Sequence, residues 1–297
     1  FRNAALRPGR QAAPPTREQR LDAYVRSGAK RVRGFLEPGA TILITAIARA
    51  QESFDDHGHM AEIGVHQGRA FLLLHLLRRP GERSVAIDVF GHQDLNLDES
   101  GRGDLAIFRR NLRRHADGTE DVAIIEGDST KLTVDDYVRA AGGPFRLFHV
   151  DGGHMADMAK HDMEQAEGAL AEGGVIVLDD YFHEQWPGVS DGTRELFAER
   201  PEMNLVPFAI GGNKVFFARR GWAERYRKYL AALDIEQQGY GKPSVMMGEP
   251  VLTFAFWRMG PRDRLIRTQW WKDIRSKPGI THARRALRRR QGRSTDV

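Results

Sequence analysis

From about residue 59 to residue 220 the chain alternates short apolar runs with amphipathic stretches, and this alternation limits the fold more than any other feature. AEIGV (61–65), SVAIDVF (84–90), VAIIEG (122–127), FRLFHV (145–150) and GVIVLDD (174–180) read as strands. RAFLLLHLL (69–77), DLAIFRRNLRRH (104–115), VDDYVRAA (134–141), MADMAKHDMEQAEGALA (155–171) and GTRELFAER (192–200) read as the helices between them. Strands separated by helices pair in parallel, with helices on both faces of the sheet. The continuous apolar character of the strands fits burial on both sides. Two further runs, NLVPFAI (204–210) and KVFFARR (214–220), are joined only by the turn GGN and predict an antiparallel finish. The expected architecture is α/β: a doubly wound, mostly parallel seven-stranded sheet with an antiparallel last strand, plus helical N- and C-terminal extensions. Right-handed crossovers bring every parallel strand's C-terminal end to one edge, where ligands bind in such sheets.

Outside this body, residues 1–20 are rich in Pro, Arg and Ala and are expected to lack order. Residues 21–57 predict N-terminal helices, 58–220 the ligand-binding domain, and 221–297 a C-terminal extension with an amphipathic helix near 222–233 and a basic tail. The net charge of +5 is unevenly spread: +7 on residues 1–33 and +10 on 258–297, leaving −12 between them. Basic ends suit solvated tails, or contact with a neighbouring subunit in a homo-oligomer. They also suit nucleic acid or an anionic membrane surface, but they lack the aromatic interleaving used to stack bases. No apolar run approaches the roughly 20 residues needed to span a bilayer, and the first residues show no secretory h-region. The expected location is cytoplasmic. With no cysteine in the chain, disulfides, thiolate catalysis and Cys-ligated zinc are all excluded.

The chemistry gathers at strand ends. AEIGVHQGRA places Glu62 and Gly64 at the end of the first strand and Gly68 at the start of the following helix. Glycines there let a backbone approach a ligand at a helix N-terminus. The spacing Gly-x-x-x-Gly, with His66 where a dinucleotide-binding loop needs its middle glycine, argues against a pyrophosphate. Asp88 ends the second strand, twenty residues after Gly68, where a carboxylate can accept hydrogen bonds from ribose hydroxyls. Asp128 and Ser129 end the third strand, where they can meet an adenine amino group or cap the next helix. A nucleoside-type ligand is therefore expected.

FHVDGGH and VIVLDDY put Asp151, Asp179 and Asp180 at the mouths of neighbouring strands. Such strands lie about 4.8 Å apart, so the carboxylates converge, at a cost that a proton or cation must offset. An all-oxygen set suits a hard divalent ion such as Mg²⁺. His154, three residues after Asp151, is placed to act as a neutral general base towards a substrate hydroxyl. His161 and Asp162, further along the helix, read as solvated or as supporting groups. The polar stretches 91–104 and 181–192 flank the same edge, and Gln93, Asn96, Tyr181, His183 and Trp186 are candidates to line an acceptor pocket.

The ordered set EIGVHQG, AIDVF, EGDST, FHVDGGH and GGVIVLDDY, spanning about 59–218, resembles the class I S-adenosylmethionine-dependent methyltransferases, and within them the bacterial metal-dependent sugar O-methyltransferases. The resemblance implies a Rossmann-like sheet with S-adenosyl-L-methionine as cofactor. Glu62, Gly64 and Gly68 would line its methionine part, Asp88 its ribose, and Asp128 and Ser129 its adenine. Asp151, Asp179 and Asp180 match the Mg²⁺ ligands and His154 the base, which is lysine in catechol-type relatives. The expected activity is O-methylation of a hydroxyl on a sugar or another small polar acceptor. The alternatives are an RNA-binding methyltransferase using the basic termini and a nicotinamide-dependent oxidoreductase. The strand-four ending VDGG lacks the Asn/Asp-Pro-Pro-aromatic motif of many base N-methyltransferases.

Overall fold

A computed structural model describes residues 14–116, 119–233 and 240–255 of the chain. The chain divides into a unit of residues 1–256 and a second of 257–297. The second unit, with the basic tail expected at its end, lies outside the described residues.

Nine strands form one sheet in the order β3-β2-β1-β4-β5-β7-β6-β9-β8. Strands β1 (His59–Ile63), β2 (Ser84–Asp88), β3 (Val122–Glu126), β4 (Phe145–Val150) and β5 (Leu170–Asp179) run parallel. The order reverses between β1 and β4, which opens a crevice at their C-terminal ends. β7 (Lys214–Arg219) pairs antiparallel with β5, and β6 (Leu205–Gly211) antiparallel with β7, as the short GGN turn predicts. The sheet continues two strands beyond the expected seven. β8 (Tyr240–Met246) and β9 (Glu249–Ala255) form a hairpin, with β9 parallel to β6.

The helices cover both faces. α2 (Pro38–Ser53), α3 (Arg69–Leu77), α4 (Leu105–His115) and α8 (Arg220–Ala232) supply Leu43, Phe71, Phe108 and Tyr226 to one buried cluster. α5 (Val134–Ala141), α6 (Ala156–Ala169) and α7 (Pro187–Glu199) supply Tyr137, Met163 and Leu196 to the other. Each such side chain contributes about 1.5–3 kcal/mol when fully withdrawn from water. A short helix, α1 (Arg17–Ala23), begins at Thr16, whose hydroxyl accepts from Gln19 N in a reciprocal capping box. Tyr24, just after α1, is buried and donates its hydroxyl to Arg69 O at 2.6 Å. That bond docks the N-terminal segment beside the start of α3.

One buried cross-link was invisible as a pattern. Arg146, the second residue of β4, is fully buried. Its guanidinium donates to both carboxylate oxygens of Glu82 at 2.8 Å, to Gln51 Oε1 at 2.7 Å and to Leu77 O at 3.0 Å. It therefore ties α2 and the end of α3 to the sheet.

Candidate active site

One side of the crevice is built by the β1–α3 turn. Gly64 has φ +83°, and a Cβ there would lie 1.7 Å from Asp151 O. Only glycine allows the ends of β1 and β4 to meet this closely. Gly68, with φ +93°, caps α3, and a Cβ on it would press on the Phe108 ring at 2.7 Å. It serves helix packing and is not among the residues lining the cleft. Between them the backbone N–H of His66 donates to Asp88 Oδ2 at 2.6 Å, and Phe90 N donates to Asp88 Oδ1 at 2.5 Å. Burial raises the Asp88 carboxyl above its ordinary value, against the pull of these two N–H groups. Asp88, Gly64, Asp128 and Ser129 all line the cleft.

Glu62 does not line it. The side chain is sealed beneath, with Oε1 2.7 Å from Nδ1 of the equally buried His149. Burial pushes Glu62 well up and His149 well down. Asp128 Oδ1 accepts from Thr130 N at 2.9 Å and from Thr130 Oγ1 at 2.7 Å, holding the turn after β3. Ser129 Oγ donates to Asp162 Oδ2 at 3.1 Å. Asp162 is fully buried rather than solvated, and burial raises its carboxyl to about 7, the Ser129 bond notwithstanding.

At the acidic edge the three aspartates part company. Asp179 stands directly opposite Lys214 in the β5–β7 ladder, and Lys214 Nζ is ion-paired to Asp179 Oδ2. Lys214 is buried. Burial alone would lower its pKa, but Asp179, Asp151 and Glu62 together raise it, so the ammonium keeps its proton. Asp180, in a left-handed conformation at φ +58°, accepts from Asn213 Nδ2 through Oδ1. Its Oδ2 lies 3.1 Å from His154 Nε2. Burial would raise Asp180, but the bonds from His154 and Asn213 lower it. Asp151 is pushed well above the carboxylate range, first by burial and then by Asp179.

His154 is gripped on both nitrogens. Nδ1 lies 2.7 Å from Asp98 Oδ2, and the same oxygen accepts His154 N at 2.7 Å. The ring stacks on Trp186, with centroids 4.3 Å apart. Burial opposes the charge, yet the bonds to Asp180 and Asp98 raise the imidazole to about 9. In this arrangement it is cationic at neutral pH, not neutral as its place in the sequence suggests, because two carboxylates hold its protons. Ligand-type atoms of Asp151, His154 and Asp180 all lie within 4.8 Å of one another, and those of Glu62, His149 and Asp151 do likewise. Two carboxylates and an imidazole suit a divalent ion that accepts oxygen and nitrogen. Asp179 belongs to neither group and spends one oxygen on Lys214.

These groups open onto a cleft of about 720 Å³. Asn96, His183 and Trp186 line it; Gln93 and Tyr181 do not. Gln93 Nε2 turns back to Phe90 O at 2.5 Å, and buried Tyr181 accepts from Arg194 Nε at 3.3 Å. Residues 34–38, ahead of α2, form a wall of the cleft that no motif announced. Asp98, Asn213 and Lys214 were also missed. The available signal was a lysine opening the otherwise apolar run KVFFA, where a buried charge demands a partner.

Residues 61–181 match the family model Methyltransf_24, described as a methyltransferase domain. Among solved structures, the O-methyltransferase NovP is similar over 69% of this chain and 99% of its own, at 15% identity and a TM-score of 0.55. The calicheamicin methyltransferase CalS11 is 20% identical over 74% of this chain and 100% of its own, with a TM-score of 0.49. None of the curated proteins compared with the chain matches it. Residues 61–181 are thus similar to a methyltransferase domain, and the sheet, whose order reverses beside an aspartate-lined crevice, shares its fold with the O-methyltransferase NovP.

Proposed function

We propose that the chain transfers the methyl group of S-adenosylmethionine to a hydroxyl oxygen of a sugar or another small polar acceptor, assisted by a divalent cation. The observation that carries this reading is the convergence of Asp151, His154 and Asp180 within 4.8 Å at the rim of the nucleoside crevice. Gly64, Asp88, Asp128 and Ser129 are the groups facing the cofactor in this reading, with Glu62 and Gly68 shaping the turn from behind. Asp151 and Asp180 would hold the cation, with Asp179 supporting them through Lys214 and His154 beside them left free to act as base. When bound, the ion would supply Lewis acidity that lowers the pKa of the acceptor hydroxyl.

The remaining work falls to the chain itself. The crevice holds oxygen and methyl carbon in line. His154 Nε2 is the candidate proton acceptor, and it must first give up the proton that Asp98 and Asp180 hold on it. A cation held by the Asp180 carboxylate would weaken one of those two holds. Asn96, His183 and Trp186 give the acceptor side a polar, aromatic-faced lining that suits a sugar.

Calorimetry with S-adenosylmethionine and with NADH separates this reading from an oxidoreductase: only the first should bind. A panel of nucleotide-linked sugars and catechols, assayed for methyl transfer with Mg²⁺ and with EDTA, tests the rest. Asp151→Ala should lose transfer by about a hundredfold or more while keeping cofactor affinity within a few-fold. Full activity of that variant in EDTA would overturn the cation's role. Undiminished binding of NADH would overturn the cofactor.

A further inference from the structure

The loop between β2 and α4 lines the cleft, and its carboxylate Asp98 is used in a way the reaction outlined above does not explain. The Asp98 side chain is only 8% exposed although it sits on a loop. Oδ2 takes both the backbone N–H and Nδ1 of His154, each at 2.7 Å, across 56 residues of sequence. Oδ1 accepts from Ser100 N at 3.0 Å. The residue between them, Glu99, is held at φ +54°, an uncommon conformation for a side-chain-bearing residue. Asn96 Nδ2 braces the turn by donating to Gly101 O at 2.6 Å. At the loop's far end Gly103 lies so close to Asp88 that a Cβ would come within 2.5 Å of Oδ1. One loop thus touches the candidate ribose carboxylate at its base and the candidate base at its tip.

We propose that Asp98 is a positioning residue for His154, a latch that ties the seated 91–104 loop to the imidazole and fixes which nitrogen faces the acceptor. This rests on the methyl-transfer reading. In that reaction the acceptor oxygen bonds to the methyl carbon as the carbon–sulfur bond breaks, and sulfur keeps the electron pair. The hydroxyl proton passes to His154 Nε2, the nitrogen that faces Asp180. An imidazole that takes a proton on Nε2 must carry its other proton on Nδ1, and Asp98 is the group that accepts it there. Trp186, stacked on the ring, limits its rotation. With the loop lifted, the ring loses its Nδ1 partner and its backbone tether together, so a competent base exists only when the loop is seated.

Two readouts test the latch on the full chain with S-adenosylhomocysteine present, and neither needs an acceptor. Amide hydrogen exchange of the 91–104 segment is compared in wild type, Asp98→Ala, His154→Ala and the double variant. Each single change should speed exchange there by about tenfold or more, the effect expected from losing a charge-assisted bond. The double variant should be no faster than the faster single one, because both remove the same link. Exchange unchanged in His154→Ala, or additive effects, would overturn the proposal. In histidine-labelled protein, a downfield Nδ1–H proton signal should be present in wild type and lost in Asp98→Asn and His154→Ala. Its survival in Asp98→Asn would overturn it equally. If no acceptor on the panel is methylated while both readouts behave as stated, the methyl-transfer reading fails and the latch stands.

Discussion

Lys214 carries a full charge inside a strand whose neighbours Val215 to Ala218 are apolar and fully buried. The carboxylate across the ladder, with Asp151 and Glu62 behind it, makes that tolerable. Removing one partner of a buried pair leaves the other uncompensated, which costs about 3–5 kcal/mol. Lys214→Met should therefore lower stability by roughly that amount in urea denaturation; a loss under about 1 kcal/mol would contradict the pairing. Asp162 gives a pH signature of opposite origin. Its carboxyl sits at about 7 in the fold against an ordinary 3.8. Below the ordinary value both states are protonated and the group contributes nothing. As pH rises from there to about 7, the unfolded chain ionises and the folded one does not, so stability falls, by up to roughly 4 kcal/mol, and then levels. Asp162→Asn should abolish this slope when denaturation midpoints are compared between pH 5 and pH 8.

Glycines decide how closely the elements approach. A Cβ at Gly192 in α7 would lie 1.9 Å from Ala156 O at the start of α6. Gly192→Ala must push these helices apart and should cost about 1–3 kcal/mol or more in thermal unfolding. Because α6 begins just after His154 and α7 just after Trp186, the same shift should loosen the ring stack. The parallel body was readable from sequence because its strands are uniform apolar runs between amphipathic helices. The hairpin of β8 and β9 was not, since KPSVMMGEP carries Pro and Gly and one face is exposed. At the candidate site, Asp151 and Asp180 stood out as carboxylates following buried strands, and His154 by its place three residues after Asp151. Asp98 did not, because a carboxylate in a polar loop looks like any other until the fold brings it beside a histidine. The three aspartates read as equivalent in sequence. They differ in the fold only because β7 delivers a lysine to one of them.

At the scale of the molecule, the N-terminal helices and the sheet are joined by a polar cross-link as well as by apolar packing. Arg146 spends its guanidinium on Glu82, Gln51 and Leu77 O, elements drawn from α2, the end of α3 and the turn before β2. Arg146→Met should leave Glu82 buried without its main partner and reduce global stability by about 3–5 kcal/mol. Hydrogen exchange should show the loss in α2 as well as in the sheet, whereas a purely local effect would stay in β4. The antiparallel finish has a consequence for how the sheet assembles. Successive side chains on a strand point to opposite faces, so a slip of β7 by one residue would turn Lys214 away from β5. Asp179 would then be buried with no counter-charge, while the apolar residues that follow could pack almost as well either way. The Lys214–Asp179 pair therefore works as an alignment pin: a sheet one residue out of step would lose it and leave a buried carboxylate uncompensated.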